Sequence, residues 1–389
     1  MEIKAILQKA QEIAPWIVDR RRDLHMHPEL GGQEINTQQY LLKYLQELGI
    51  ETTTYPGQYA VVGLIRGTFP GKTIALRADM DGLPVQETTG LAFASQEAGK
   101  MHACGHDAHM SIALGAAKLL MENRDQLHGN VKLLFEPAEE TIGGAQDMVA
   151  SGCLENPHVD AVFGLHMLPD QPAGVVFTKP GSVSGSSNAI NITVNGKGCH
   201  GAYPERGVDA LVISAQIINA LQTLVSRNVS PLDSSVVTFG KMAGGTARNV
   251  ICDQVRLEGT LRTLKPETRA LLMQRLHTIP KSIAESMGGS ADVEVLDGYP
   301  AVYNDEALHE HFLLLAKDMV GEKNIVARQF PSMGVESFSF FIANTPGVYY
   351  DLGCGVGSAL HMCDFTVDEE CLPVGTALQT AIALTLLKG

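Results

Sequence analysis

Carboxylate and imidazole side chains follow four apolar segments of the sequence, at the point where each segment ends. They are Asp79 and Asp81 after TIALRA (73–78), Glu139 and Glu140 after VKLLFE (131–136), His166 within AVFGLHM (161–167), and His361 beyond GVYYDLG (347–353). Apolar runs of this length predict β-strands. Because ligands in open α/β sheets bind outside the carboxyl ends of the strands, we expect these side chains to form a site at one sheet edge.

A fifth group of potential ligands lies in the segment MHACGHDAHM, which contains Cys104 and His106. The sequence predicts a turn here, followed by a helix over 107–125 with Asp107 as its N-cap. We expect the helix N-terminus to lower the pKa of the Cys104 thiol and to favour the thiolate that binds metals. Cysteine, histidine and glutamate together are typical ligands of Zn or Mn rather than of Ca or Mg. His109, which flanks this turn, is expected to pack or to support the ligands.

The adjacent carboxylates Glu139 and Glu140 suggest a division of roles, because neighbouring side chains point in different directions. One would bind a metal ion, and the other would act as general base toward a water whose pKa the metal lowers to about 7. The base then passes the proton to the leaving amine. An acidic surface loop, a thiol hydrolase that uses Cys104 with His106, and a non-catalytic binding protein are the alternatives at this point.

The elements that must position these groups predict an α/β fold whose main domain has a mixed, largely parallel sheet flanked by helices. Helical periodicity at 3–22 and 36–48 precedes a segment in which strands and helices alternate. The Gly/Ser-rich GSVSGSSNA (181–189) is a candidate hinge, and the β-α-β-β-α pattern after it indicates an inserted α+β domain. The expected division is a catalytic metal-binding domain at 1–183 and 298–389, and a lid or dimerisation domain at 184–297.

Composition and charge exclude several classes of partner. The chain has 389 residues, 45% hydrophobic and 19% charged, which is enough apolar material for a full core and excludes a disordered protein. Because 29 Lys and Arg face 43 Asp and Glu, giving a net charge of −14, binding to nucleic acid or to an anionic membrane is not expected. Seven irregularly spaced cysteines do not form a disulfide framework. With no signal peptide and no membrane-spanning stretch, we expect a cytoplasmic protein.

Several longer motifs carry a resemblance to a known family. In chain order they are RRDLHMHPELGGQE, LRADMDGLP, GKMHACGHDAHM, FEPAEE, GLHM, GKGCHGAYP, ARNVICD and LHMCDF. With them the sequence resembles the metal-dependent amidohydrolases of the family of hippurate hydrolase, bacterial aminoacylases and plant auxin–amino acid conjugate hydrolases. The resemblance implies a catalytic domain that holds two divalent metal ions, a lid inserted in its middle, and hydrolysis of N-acyl amino acids.

The resemblance also implies roles for individual residues of this sequence. The positions that match the metal ligands of the family are Cys104, His106, Glu140, His166 and His361. Glu139 matches its general base, and Asp79 matches a carboxylate that orients the site. His200, in the lid, matches a histidine that approaches the scissile carbonyl, often from the other subunit of a dimer. Asn249 and Arg262 match lid positions associated with the carboxylate or the oxyanion of the substrate.

Three positions depart from the pattern of the family. Arg77 stands where more distant aminoacylase relatives have a histidine ligand, and this change fits with the ligand Cys104. Glu205 replaces a common histidine in the lid motif, and Ser337 replaces the aspartate of a common Glu-Asp-Phe. A dipeptidase or carboxypeptidase with the same metal core stays open as an alternative. On the family branch alone we expect manganese, ahead of zinc, nickel and cobalt, and a homodimer.

Overall fold

A computed structural model describes residues 3–141 and 143–387 of the chain. The described residues divide into two compact units. The first unit comprises the chain as far as Val183, then Tyr303–Phe330, and then Ser337 onward; the second comprises Ser184–Val302 and Pro331–Glu336.

The second unit extends beyond the end at 297 that the sequence predicts. It runs to Val302 and takes in Pro331–Glu336 as a separate segment. Backbone hydrogen bonds account for the difference, because the N–H of Ser187 donates to Tyr299 O and the N–H of Gly185 donates to Gly334 O. Such pairing between distant segments leaves no periodic signal in the sequence.

The helices and strands of the described residues alternate through most of the chain. The helices are α1 (Ile3–Glu12), α2 (Ala14–Met26), α3 (Ile35–Glu47), α4 (His106–Glu122), α5 (Gly144–Ala150), α6 (Ala210–Thr223), α7 (Pro266–Ser286), α8 (Glu306–Val320), α9 (Phe338–Phe341) and α10 (Cys371–Leu386). The strands are β1 (Glu51–Thr54), β2 (Val61–Arg66), β3 (Phe69–Asp79), β4 (His128–Glu136), β5 (Ala161–Leu168), β6 (Val176–Thr178), β7 (Gly181–Ser184), β8 (Ser186–Asn195), β9 (Cys199–His200), β10 (Ser235–Gly244), β11 (Val250–Ile251), β12 (Gln254–Thr263), β13 (Ser290–Asp297), β14 (Val302–Asn304), β15 (Ile325–Ala327) and β16 (Gly347–Gly353).

The first unit contains an eight-stranded sheet with the strand order β1-β2-β4-β3-β5-β16-β6-β15. The central strands β4, β3, β5 and β16 are parallel to one another, whereas β2 and β6 are antiparallel to the central strands that they adjoin. The predicted mixed α/β sheet is therefore confirmed. These central strands are the four whose apolar runs lead to candidate site residues. In register, Asp79 lies opposite Glu136 and His166 opposite Asp351, so the chemistry-bearing ends meet at one edge.

Helix α4 is buried without interruption from His106 to Ala117, because its side chains are apolar or small on all faces or are paired. It packs closely on α10, where a Cβ on Gly115 would lie 2.8 Å from Thr376 Oγ1. The helix begins one residue earlier than predicted, after Gly105, whose φ of 85° suits glycine. The prediction of Asp107 as N-cap was wrong, because buried partners from α2 bind its carboxylate instead.

The second unit is a small α+β structure built on the antiparallel sheet β10-β12-β8-β13. Strand β8 alternates buried and more exposed residues, and its buried Ile190, Ile192 and Val194 form a core with side chains of α6 and α7. The candidate hinge at 181–189 lies mostly in β7 and β8 rather than in a loop. No helix in residues 3–141 and 143–387 has both the length and the apolar character to cross a bilayer.

Candidate metal centre

Imidazole, thiol and carboxylate groups come together at the edge where the parallel strands of the first unit end. In the described residues, four overlapping groups have ligand atoms that lie within 4.8 Å of one another. The groups are Cys104, His106 and His166; Asp79, His106 and His109; Cys104, Glu140 and His361; and His106, Glu139 and Glu140. The structure thus brings together the expected metal ligands, the expected general base and Asp79, and it adds His109.

The strands and their loops deliver these groups from separate parts of the chain. Asp79 ends β3, His166 lies near the end of β5, Glu139 and Glu140 follow β4, Cys104 precedes α4, and His361 follows β16. His361 has a φ of 66°, and its N–H donates to Ala103 O at 2.8 Å. This backbone contact fixes the loop after β16 beside the turn that contains Cys104.

Two imidazoles in the cluster have Nδ1 beside a backbone carbonyl oxygen and Nε2 on the side of the other ligand groups. His106 Nδ1 lies 2.9 Å from Asp81 O, and its buried Nε2 has no hydrogen-bond partner among the described residues. His166 Nδ1 lies 2.8 Å from Met167 O, and its Nε2 lies 3.5 Å from Cys104 Sγ. Because a carbonyl can only accept, each Nδ1 carries a proton and donates it. A neutral imidazole in this tautomer presents the Nε2 lone pair that a metal ion needs, so these residues fit a metal.

The charges around His106 favour a cation in the middle of the cluster. Burial by itself lowers the pKa of His106, but Asp79, Asp81 and Cys104 outweigh it and raise this pKa well above its usual range. Burial raises the pKa of the Glu140 carboxyl, yet the hydrogen bond from His361 and the charge of His106 bring it down to about 2. Ionised carboxylates around a buried imidazole form a place where a metal ion can replace the proton.

The Cys104 thiol does not behave as its position before a helix suggests. Its side chain is buried, and this burial raises the pKa of the thiol well above its usual range. The expectation that the helix N-terminus lowers this pKa is wrong, because the loss of hydration has the larger effect. A thiolate at this position therefore requires an adjacent cation, and metal ligation is one way to provide it.

Asp79 is held between an arginine and a histidine and stays ionised. Its Oδ2 accepts from Arg77 Nη1 at 2.5 Å and its Oδ1 from His109 Nδ1 at 2.5 Å. Burial opposes ionisation, but Arg77 and the nearby histidines lower the pKa of Asp79 well below its usual range. His109 Nε2 accepts the N–H of Met167 at 2.9 Å. Because both ring nitrogens of His109 are engaged, this residue supports Asp79 and is not itself a ligand.

Arg77, the residue that the sequence comparison with aminoacylases sets against a histidine ligand, cannot itself bind a metal. A guanidinium keeps its proton and has no free lone pair. The side chain is fully buried; its Nε donates to Glu136 Oε2 at 2.7 Å, and its Nη2 donates to Ser337 Oγ at 2.9 Å. Arg77 thus joins β3, β4 and the segment that begins at Ser337.

Asp81 is a site residue to which the sequence gives a place at the strand end but no role. Its Oδ1 lies 3.2 Å from His106 Nδ1, and its Oδ2 accepts the N–H of Glu140 at 3.0 Å. It therefore orients one candidate ligand and fixes the backbone of another. The available signal is the Asp-x-Asp spacing, which places both carboxylates after the same strand.

The candidate residues of the inserted domain lie in the second unit. His200 ends β9, opposite Val250 of β11, and the N–H of the following Gly201 donates to Asn249 O at 2.8 Å. The strand pair therefore brings His200 and Asn249 together, and both side chains are exposed. Arg262 belongs to β12, in the four-stranded sheet, and is partly exposed. The unusual Glu205 is exposed and pairs with its neighbour Arg206.

The sheet topology and this cluster define a metal-dependent hydrolase. Residues 75–385 match the model of Peptidase family M20/M25/M40, and the chain belongs to this family. It is therefore a metal-dependent amidohydrolase or peptidase, as the sequence predicts.

Curated relatives and a solved structure cover nearly the whole chain. Thermostable carboxypeptidase 1 of Saccharolobus solfataricus is 36% identical over 98% of this chain and 98% of its own length. The N-acetyl-L-cysteine deacetylase of Bacillus subtilis is 40% identical over 92% of this chain and 84% of its own length. The crystal structure of Bacillus subtilis YxeP, described as a dinuclear metal-binding peptidase of the M20 family, has a TM-score of 0.85 at 33% identity and covers 97% of this chain and 99% of its own.

Proposed function

We propose that this protein hydrolyses the amide bond of N-acyl or N-aroyl amino acids, with two divalent metal ions in each subunit. The observation that carries the proposal is the convergence of imidazole nitrogens, a buried thiol and carboxylates on one small volume beside Glu139. The ions would be held by Cys104, His106, Glu140, His166 and His361. The dinuclear character described for YxeP supports two ions rather than one.

In this proposal Glu139 is the general base. When bound, the ions lower the pKa of a water and polarise the amide carbonyl. Glu139 takes the proton from that water and delivers it to the nitrogen of the leaving amino acid. Its Oε1 accepts the N–H of Ser337 at 3.3 Å, a contact that holds the carboxylate in one orientation. Asp79 contributes a fixed negative charge 3.6 Å from His106 Nε2.

Three residues of the second unit complete the proposed machinery. His200 donates a hydrogen bond to the carbonyl oxygen as negative charge develops on it, and we propose that the other subunit of a homodimer supplies it. Asn249 and Arg262 bind the carboxylate or the oxyanion of the substrate. Light scattering that finds a fully active monomer would contradict the dimer. We also propose manganese as the metal, and the cytoplasm as the location because the cysteines are scattered and free.

A carboxypeptidase is the second candidate, because one relative at 36% identity carries that name and the metal core is the same. A cysteine nucleophile is disfavoured by the structure, since burial raises the pKa of the Cys104 thiol and the unreactive thiol form dominates. The two metal-dependent candidates differ in the group on the amino side of the cleaved bond. The first candidate removes an acyl group from the amino acid, and the second removes a peptide from it.

The test of the proposed function is a metal-reconstituted assay on a substrate panel. The protein is stripped with chelator, reloaded with Mn, Zn, Ni or Co in turn, and given N-acetyl and N-benzoyl amino acids and dipeptides. We expect activity to vanish on stripping, to return best with Mn, and to be highest on acyl amino acids. Glu139→Gln is expected to lower kcat by about 10²- to 10⁴-fold without loss of bound metal. The exposed Glu47→Gln is the control, and turnover by the Glu139→Gln variant at the control rate would refute the mechanism.

A further inference from the structure

Ser337 makes two contacts that join the candidate general base to the sheet. The chain leaves the second unit at Glu336, and Ser337 is the next residue, in the first unit. Its side chain is fully buried, and its Oγ accepts from Arg77 Nη2 at 2.9 Å. Its backbone N–H donates to Glu139 Oε1 at 3.3 Å. The hydroxyl and the amide of one residue therefore connect Arg77 to Glu139.

Arg77 is a rigid partner for Ser337. Its guanidinium lies 2.6 Å from Glu136 Oε2 through Nη2 and 2.5 Å from Asp79 Oδ2 through Nη1. Both carboxylates and the guanidinium are fully buried. A planar guanidinium bound on several edges has little freedom to rotate or shift. The position of Ser337 is thus fixed by two adjacent parallel strands.

These contacts hold both ends of the loop that carries the candidate base. Glu136 ends β4, and three residues later the chain reaches Glu139; between them Ala138 has a φ of 58°, in the region that favours glycine. Arg77 holds the start of this loop through Glu136, and Ser337 holds its functional end through Glu139. A loop with an unfavourable backbone angle needs such contacts to keep one conformation.

We propose that Arg77 and Ser337 form a brace that positions Glu139, and that Ser337 is a positioning residue for the hydrolytic reaction. This inference rests on the proposed role of Glu139. It assigns a use to two departures from the family pattern: an arginine where more distant relatives have a ligand, and a serine where aspartate is common. The brace acts through the orientation of Glu139 and not through the metal ligands.

The chemistry of serine suits this position. Arg77 already binds Asp79 and Glu136, so a third carboxylate is not needed to neutralise it. An aspartate at 337 would place a negative charge next to the carboxylate of Glu139, and the two would repel each other. The neutral hydroxyl accepts an N–H of the Arg77 guanidinium without adding this repulsion.

The test compares Ser337→Ala with Ser337→Thr and with Ser339→Ala. Ser339 is a matched control because it lies in the short helix α9 that directly follows Ser337, is fully buried, and has an Oγ with no hydrogen-bond partner among the described residues. Ser337→Ala removes the anchor to Arg77, and we expect kcat to fall by about 10-fold or more with KM unchanged, since small displacements of a catalytic group are costly. Ser337→Thr restores the hydroxyl and is expected to recover most of kcat. Ser339→Ala is expected to match the wild type.

A second measurement does not depend on activity. Titration of the stripped proteins with Mn in competition with a fluorescent chelator should give the same metal affinity for Ser337→Ala and the wild type. A loss of metal affinity, an unchanged kcat, or an effect on KM alone would each overturn the brace. If Ser337→Ala does not fold, Ser337→Cys serves instead, because it keeps the volume and is a weaker acceptor.

The inference and the proposed function fail in different ways. If Glu139→Gln retains turnover, Glu139 is not the base and the proposed mechanism fails. If Glu139→Gln is inactive while Ser337→Ala turns over at the wild-type rate, only the brace fails. If both hold, the double variant Glu139→Gln/Ser337→Ala loses no more activity than Glu139→Gln alone, because the brace then has nothing to position.

Discussion

Asp81 contacts two candidate ligands that come from different parts of the chain. Its Oδ1 and its backbone oxygen lie 3.2 and 2.9 Å from His106 Nδ1. Its Oδ2 accepts the N–H of Glu140 at 3.0 Å. One buried residue just after β3 thereby sets the tautomer of an imidazole and the place of a carboxylate. Partners of this kind commonly matter for metal affinity nearly as much as the ligands.

Asp81→Ala is expected to weaken metal binding by about 10- to 100-fold, because His106 loses the carboxylate acceptor and keeps only the backbone oxygen, and the N–H of Glu140 loses its acceptor. The measurement is a competition titration of the stripped protein with a chelating dye. Asp125→Ala, an exposed aspartate far along the chain, is the matched control and should bind metal as the wild type does. Equal affinities for the two variants would show that Asp81 has no such role.

At the residue scale, the sequence could predict which side chains gather at the site. It could not predict which residues their other polar atoms contact. Strand-end positions and residue types were enough for Asp79, Glu139 and His166. The bond from Met167 N–H to His109 Nε2 joins residues 58 apart in sequence, and only the packing of α4 against β5 brings them together. The same holds for Asp107: the buried Arg21 and His25 compete for its carboxylate and defeat the local preference for an N-cap.

At the scale of elements, the segment before α3 supports the loop after β4. Glu34 is fully buried, and its Oε1 accepts the N–H of Ala138 at 2.7 Å. Gly31 packs so closely on this loop that a Cβ there would lie 2.7 Å from Thr141 Oγ1 and 3.1 Å from Ala138 Cα. Any larger residue at that point would have to displace these atoms of the loop. The two contacts hold the backbone on either side of Glu139.

Burial raises the pKa of Glu34 to about 7, from an ordinary value of 4.5. Because the folded pKa is the higher one, the unfolded chain releases this proton first, and stability falls as pH rises from about 5 to about 7. The cost is on the order of 3 kcal/mol above that window. Glu34→Gln cannot ionise, so its Tm relative to the wild type is expected to rise between pH 5 and pH 8.

The measurement is a set of thermal scans of the stripped proteins at half-unit steps of pH. Glu47→Gln, on the exposed face of α3, should follow the wild-type curve throughout. Parallel curves for Glu34→Gln and the wild type would contradict the assigned ionisation of Glu34. Only the pH dependence of the difference in Tm between Glu34→Gln and the wild type is diagnostic. The amide also places donors where Glu34 Oε2 has no hydrogen-bond partner among the described residues, and this shifts Tm equally at every pH.

The long central strands were predictable because each contains a largely apolar run, as expected for strands covered on both faces. The short strands β6 and β15 were not, since three residues carry no periodic signal. Their pairing depends on the sheet that they extend. The same reasoning explains Pro331–Glu336, whose place in the second unit depends on backbone bonds such as that from Gly185 N–H to Gly334 O.

At the scale of the whole molecule, Arg21 joins the beginning of the chain to its middle and its end. Its Nε donates to Asp107 Oδ2 at 2.9 Å, and its Nη1 donates to Glu369 Oε1 at 3.1 Å. The side chain is 1% exposed, so these contacts are desolvated. His25 Nδ1 also lies 2.9 Å from Asp107 Oδ2. Burial lowers the pKa of His25, but the charge of Asp107 outweighs it and raises this pKa to about 9.

Arg21→Met is expected to destabilise the protein by about 3 kcal/mol or more at pH 7, because it leaves Asp107 buried with His25 as its remaining cation. The neighbouring Arg22→Met is the control: Arg22 also binds Glu369, but its side chain is 45% exposed, and exposed pairs contribute about 1 kcal/mol at most. The deficit of Arg21→Met should grow from pH 7 to pH 10. Arg21 lowers the pKa of His25, so its removal raises this pKa further. Above about pH 9 the folded variant still holds a proton that the unfolded chain has released, and its stability keeps falling where that of the wild type levels off. Thermal scans of both variants at the two pH values test this. Equal losses for Arg21→Met and Arg22→Met would mean that burial does not strengthen the link, and a deficit that is constant with pH would remove His25 from it.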